Sequence, residues 1–152
     1  MIVVVCPGQG SQTPGFLEPW IADPGSKALL ETLSAAADVD LVKHGTVSDA
    51  DTIRDTAIAQ PLIVAAGILT LDALAETDHL SKTSGIAGHS VGEFTAAAGA
   101  GVLDATDAVR LVGIRGRAMA DAAALVPTGM SAVIGGEESD IIAKLDELGL
   151  FP

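Results

Sequence analysis

The segment Ser84-Gly85-Ile86-Ala87-Gly88-His89-Ser90-Val91-Gly92-Glu93-Phe94-Thr95-Ala96-Ala97-Ala98 decides how this chain is read. A short apolar run leads into Gly-His-Ser-Val-Gly, and an alanine-rich stretch with helical character follows. Strand, G-x-S-x-G and helix, in that order, make a nucleophile elbow. The two glycines let the backbone turn sharply where a side chain would collide with the strand or helix beside it. The turn lifts Ser90 clear of both elements. Its hydroxyl then sits over a helix N-terminus, where outward N–H groups favour negative charge. A serine so placed can attack a carbonyl and leave an oxyanion beside it. The plainer alternative is a glycine-rich turn carrying an exposed serine, and the flanking elements favour the nucleophile.

Outward from the elbow, strands and helices alternate. Met1 to Cys6 reads as a buried strand, a β-branched run closed by Pro7-Gly8. A Gly- and Gln-rich loop follows. Ser26 to Ala37 reads as a helix with Leu29, Leu30 and Leu33 on one face, and Asp38 to Asp55 as irregular and polar. A long helix is expected from about Gln60, with Pro61 in its first turn. Beyond the elbow helix, Asp104 has the position of an N-cap, with Asp107 opposing the positive end of the dipole in a helix running to about Ala123. Met130 to Ile134 reads as a strand, and Ser139 to Leu148 as a helix with Gly149 at its end. This alternation predicts an α/β fold with a mainly parallel sheet. The last strand and helix have no returning strand, so the chain reads as stopping in mid-architecture, with low stability expected in isolation.

Composition narrows the function classes. In 152 residues, 49% are apolar and 18% charged, which predicts one globular domain. The formal charge is −12 with no basic stripe, which argues against nucleic acid and anionic membrane as partners. Cys6 is the only cysteine, so no internal disulfide and no cysteine metal knuckle can form; it reads as a small buried hydrophobe. The longest apolar segment, Ala59 to Ala75, is interrupted by Gln60, Pro61, Gly67, Thr70 and Asp72 and falls short of the ~20 residues of a membrane span. It reads as a helix buried nearly all round, and the protein as soluble and cytoplasmic.

The Asp104–Ala123 helix holds a second clue. At about 100° per residue, Leu111, Ala118 and Ala122 share a face, flanked by Ala108, Val112 and Met119, with Arg115 in the middle. Arg110 and Arg117 fall on the opposite, solvent side. A guanidinium among apolar neighbours needs an anion. That anion could be an internal Asp or Glu, or the carboxylate of a ligand, which a planar fork of donors matches two bonds at a time.

Together these pieces resemble the malonyl-CoA:acyl carrier protein transacylase family, and its actinobacterial members in particular. The resemblance runs through Pro7-Gly8-Gln9-Gly10-Ser11-Gln12, Gln60-Pro61, Gly88-His89-Ser90-Val91-Gly92-Glu93, Ile114-Arg115-Gly116-Arg117-Ala118-Met119 and Thr128-Gly129-Met130-Ser131-Ala132-Val133. It implies an α/β-hydrolase-like large subdomain over residues 1–127. Residues 128–152 would be the first strand and helix of an inserted ferredoxin-like small subdomain, incomplete here. Ser90 would take malonyl from coenzyme A as an ester, and the N–H groups of Gln9 and Val91 would form the oxyanion hole. Arg115 would hold the free carboxylate of malonate, and His89 would shape the site without acting as base. Val91 resembles malonyl-selective members, where methylmalonyl-selective ones commonly carry Gln. The resemblance implies no metal and no cofactor; the partners would be malonyl-CoA and acyl carrier protein, whose phosphopantetheine thiol accepts the acyl group.

The family's catalytic histidine lies well downstream of the serine. Here His44, His79 and His89 all precede Ser90. His44 reads as part of a polar loop and His79 as the end of a helix, both at the surface. The chain therefore resembles an N-terminal half, with the histidine expected on a C-terminal half and little transfer activity expected from these residues alone. Two rivals stay open: a serine thioesterase or other hydrolase, against which Arg115 argues, and a non-catalytic assembly module, whose only support is the missing histidine.

Overall fold

The computed structural model describes residues 1–126, 129, 131 and 133–152. Strand β1 (Ile2–Cys6) is followed by helices α1 (Glu18–Ile21), α2 (Pro24–Ala37), α3 (Leu41–Thr46) and, after a single 3-10 turn at Thr52–Arg54, α4 (Thr56–Ala75). Helix α5 (Asp78–Ser81), strand β2 (Thr83–Gly88), α6 (Gly92–Gly99), α7 (Ala105–Leu125) and α8 (Glu138–Glu147) complete the order. Strands β1 and β2 pair in parallel, with Val4 opposite Ile86 and Cys6 opposite Gly88. The crossover between them runs through α1 to α5, as a parallel pair requires. Both strands pack on α6, α6 on α4, α4 on α7, and α7 on α2. A small parallel sheet with helices against it is an α/β arrangement.

The core lies among the helices. Leu30, Leu33 and Ala37 of α2, Leu62 to Ala65 and Leu69 of α4, and Ala108, Val109 and Val112 of α7 meet there. Helix α4 is buried on every side from Ala59 to Ala65, where its residues are wholly aliphatic apart from Gln60 and Pro61. Its 20 residues make it long and apolar enough to cross a membrane, longer than the sequence reading allowed, yet half of it is buried against the rest of the protein. The expectation for its start also needs correcting. Asp55 is the N-cap, its carboxylate accepting the Ala57 N–H at 2.8 Å, so Pro61 lies inside the helix rather than in its first turn.

Other expectations fail in instructive ways. Strand β1 is not buried: only Cys6 is, and Val3 and Val5, 47% and 73% exposed, share the face opposite Val4 and Cys6, which nothing described covers. The span 38–55 is not irregular. Asp40 caps α3 by accepting the Lys43 N–H at 2.9 Å, which places His44 on a helix. The expected strand Met130–Ile134 includes Met130 and Ala132, which lie outside the described residues. Helix α8 follows, its C-cap at Leu148, with Gly149 at φ +66° just beyond it, as the sequence indicated.

Candidate active site

The elbow forms from backbone packing. A Cβ on Gly88 would sit 2.3 Å from the backbone of Gly92 and Glu93, and one on Gly92 would sit 2.3 Å from the Cys6 carbonyl oxygen. Strand and helix therefore meet at a distance only glycine permits. Between them Ser90 has φ +53°, a left-handed conformation uncommon outside glycine and costing about 1–3 kcal/mol. The turn is held by bonds around it: the His89 N–H donates to the Cys6 carbonyl at 3.0 Å, and the Gly92 and Glu93 N–H groups donate to the carbonyls of His89 and Ser90 at 3.0 and 3.1 Å. Val91 is the N-cap of α6 and its N–H meets no acceptor among the described residues. Ser90 is exposed, and at this helix end the Val91 N–H beside it is the donor left over, since Gly92, Glu93 and Phe94 donate to the His89, Ser90 and Val91 carbonyls.

Arg115 arrives from α7. Its Nη2 donates to Ser90 Oγ at 3.2 Å and its Nη1 to Gln60 Oε1 at 2.6 Å. Gln60 is 1% exposed, and its Nε2 donates to Met119 Sδ at 3.2 Å. No carboxylate pairs with Arg115 among the described residues. Among the described residues a neutral amide, not an internal acid, orients the fork, and its charge lies beside the serine.

The route to this geometry differs from the sequence expectation. The buried face of α7 is Ala108, Val109, Val112, Gly113 and Gly116. Leu111 and Met119 are 39% and 43% exposed, and Ala118 and Ala122 are exposed too. Arg115 is half-buried at the edge of the packed face, not in the middle of an apolar stripe. Two glycines set the phase, since a Cβ on Gly113 would press on the Ala37 carbonyl and one on Gly116 on the Thr56 carbonyl. Arg117 is not free in solvent either: its Nη1 donates to the Ala37 carbonyl at 2.7 Å and caps α2. Arg110 is exposed, as expected, and pairs with Asp107.

Gln9 sits in the loop after β1. Its side chain donates to Thr56 Oγ1 at 3.3 Å, and its backbone N–H has no acceptor among the described residues. His89 touches this loop, because a Cβ on Gly8 would lie 2.5 Å from His89 Nδ1. The ring therefore leans on Gly8 and makes no hydrogen bond to Ser90. His44 bonds Ser48 Oγ at 2.9 Å on α3, and the His79 side chain lies outside the described residues. Among the described residues, no three His, Cys, Asp or Glu side chains gather as a metal site would need. Burial raises the pKa of the Cys6 thiol, which keeps it protonated. Sequence reading missed Gln60 as a site residue. The signal was there, an amide inside an otherwise aliphatic run, which must find polar partners once buried.

The acyl transferase domain family matches residues 3–148. The chain belongs to that family. It is 50% identical over its whole length to a malonyl CoA-acyl carrier protein transacylase of Mycobacterium tuberculosis, and 36% identical over 94% of its length to the protein of that name from Escherichia coli. It spans about half of each, 51% and 46%. A crystal structure of the M. tuberculosis MCAT superposes on the whole chain with a TM-score of 0.92, again over 51% of that protein. A malonyl-transacylase solved with the type II polyketide-synthase acyl carrier protein AntF matches 97% of this chain, at 31% identity and a TM-score of 0.79.

Proposed function

We propose that this acyl transferase chain supplies the nucleophile-bearing half of a malonyl-CoA:acyl carrier protein transacylase. The observation that carries the reading is the guanidinium of Arg115, 3.2 Å from Ser90 Oγ and unpaired with any described carboxylate. Malonate joined to Ser90 as an ester has its free carboxylate two bonds beyond the ester carbonyl carbon. The fork can release Ser90 Oγ and take that carboxylate, while Gln60 keeps the guanidinium in place. A hydrolase of plain acyl chains has no use for such a charge.

The steps follow from physical roles. Ser90 Oγ attacks the thioester carbon of malonyl-CoA and gives up its proton to a base, which the relatives' length leaves room for beyond these residues. The tetrahedral oxyanion is met by the Val91 and Gln9 N–H groups, and each such donor contributes roughly 3–4 kcal/mol. Coenzyme A departs as the thiol. The phosphopantetheine thiol of the carrier protein then attacks the malonyl ester, and Ser90 regains its proton. His89 seats the Gly8 turn. Val91 fits a malonyl-selective site, and residues 128–152 would open a ferredoxin-like small subdomain. The cycle needs no metal or cofactor, and suits fatty-acid or polyketide synthesis in the cytoplasm. Product partition in the full-length protein tests this. Malonyl transfer to a pantetheine thiol with ping-pong kinetics, abolished by Ser90→Ala, is expected. Free malonate as the main product with the thiol acceptor in excess would favour a hydrolase instead.

A further inference from the structure

The loop between β1 and α1 carries one of the two proposed oxyanion donors, yet it has no backbone ladder. Residues 8–12 make no backbone–backbone hydrogen bond among the described residues. Side chains hold it instead. Ser11 Oγ donates to the Gly8 carbonyl at 3.1 Å, which is internal to the loop. Gln9 Nε2 reaches Thr56, which fixes a side chain rather than the backbone. Gln12 does both tasks at once: its Oε1 accepts the Gly10 N–H at 2.9 Å, and its Nε2 donates to the Ile53 carbonyl at 3.0 Å. Ile53 is buried in the core, so this anchor is rigid. Gly10 has φ +107°, a conformation that needs holding because glycine has many others.

We infer that Gln12 is a positioning residue for the oxyanion hole. The Gln9 N–H lies between two pinned neighbours, Gly8 seated on the His89 ring and Gly10 tied through Gln12 to Ile53. Without Gln12 the Gly10 end is free to rotate, and the Gln9 donor loses its aim. An oxyanion forms from any thioester, so the effect is blind to the substrate's free carboxylate, unlike that of Arg115. The inference rests on the acyl-transfer reading above.

The experiment is rapid-quench acylation of Ser90 in the full-length protein, with malonyl-CoA and with acetyl-CoA, for the parent, Gln12→Leu and Gln12→Glu. Leucine removes both bonds at similar volume. Glutamate keeps an acceptor for Gly10 and loses the donor to Ile53. In Gln12→Leu the acylation rate constant should fall about ten- to a hundredfold, by the same factor for both substrates, with the malonyl-CoA concentration dependence unchanged. Gln12→Glu should fall in the same substrate-independent way, and decides alone if the leucine variant does not fold. A lower burst amplitude or melting temperature with an unchanged rate constant would reduce Gln12 to a fold-stabilising role and overturn the inference. So would a loss confined to malonyl-CoA. Absence of Ser90 acylation in the parent would overturn the acyl-transfer reading itself; parental rates in both variants would overturn this inference alone.

Discussion

Replacing Arg115 with alanine should change substrate choice rather than basic chemistry. In the free protein the guanidinium donates to Gln60 at 2.6 Å and to Ser90 at 3.2 Å. In the proposed function, the second bond passes to the carboxylate of bound malonyl-CoA. Removing one member of a buried, hydrogen-bonded charge pair costs about 2–5 kcal/mol. Arg115 is half-buried, so the lower part of that range applies, about 2–3 kcal/mol. At about 1.36 kcal/mol per tenfold, kcat/KM for malonyl-CoA should fall roughly 30- to 150-fold. Acetyl-CoA offers no carboxylate, and its kcat/KM should stay within about threefold, so the malonyl-to-acetyl ratio falls by nearly the whole factor. Arg115→Lys should recover only part, because a point charge cannot bond both carboxylate oxygens in the plane of a fork. The assay is initial-rate transfer to a pantetheine thiol for both donors. Equal losses for malonyl- and acetyl-CoA would refute the carboxylate clamp.

Three further outcomes are expected. Gln60→Leu, by releasing Nη1 of Arg115, should lower malonyl kcat/KM by about tenfold while leaving the melting temperature near the parent's, since leucine suits the aliphatic interior of α4; a parental kcat/KM would show that Arg115 needs no such support. Gly92→Ala must push α6 away from the Cys6 and Pro7 carbonyls, and should destabilise by about 3 kcal/mol in denaturant unfolding, where parental stability would contradict the close approach. The Asp23 and Asp49 carboxylates accept the Ser26 and Thr52 N–H groups at 2.7 and 2.8 Å, which lowers both pKa values. Their stabilisation is therefore complete above the unfolded value and is lost as pH falls through the lower folded values. Unfolding stability should decline below about pH 4, and less steeply in an Asp23→Asn, Asp49→Asn variant, whose caps cannot titrate. An identical acid slope in that variant would discount them.

The elbow was legible because its information is local: strand, glycine, serine, glycine and helix lie within a few residues. Arg115 was legible as a cation needing an anion, but its surroundings were not. Counting apolar side chains put Leu111, Ala118 and Ala122 on the inner face of α7, whereas Gly113 and Gly116 set it, pressed on the Ala37 and Thr56 carbonyls. Hydropathy gives glycine almost no weight, yet close backbone packing is where it matters most. Helix α3 escaped notice because six residues leave no periodicity to read, although Asp40 was in place as its cap. Pro61 misplaced the start of α4, since the cap that matters, Asp55, lay upstream in a stretch read as irregular. The exposure of β1 follows from what covers a strand, which its β-branched sequence does not encode. Gln60 and Gln12 work through partners at Arg115 and Ile53, far away in sequence, so only the folded arrangement shows what they hold.

The most direct measurement is mass spectrometry of the acid-quenched full-length protein after brief exposure to malonyl-CoA. One malonyl group on the peptide containing Ser90, absent after Ser90→Ala and discharged by added pantetheine thiol, is the expected result. Malonyl carried by any other residue, or no covalent adduct while transfer proceeds, would contradict it.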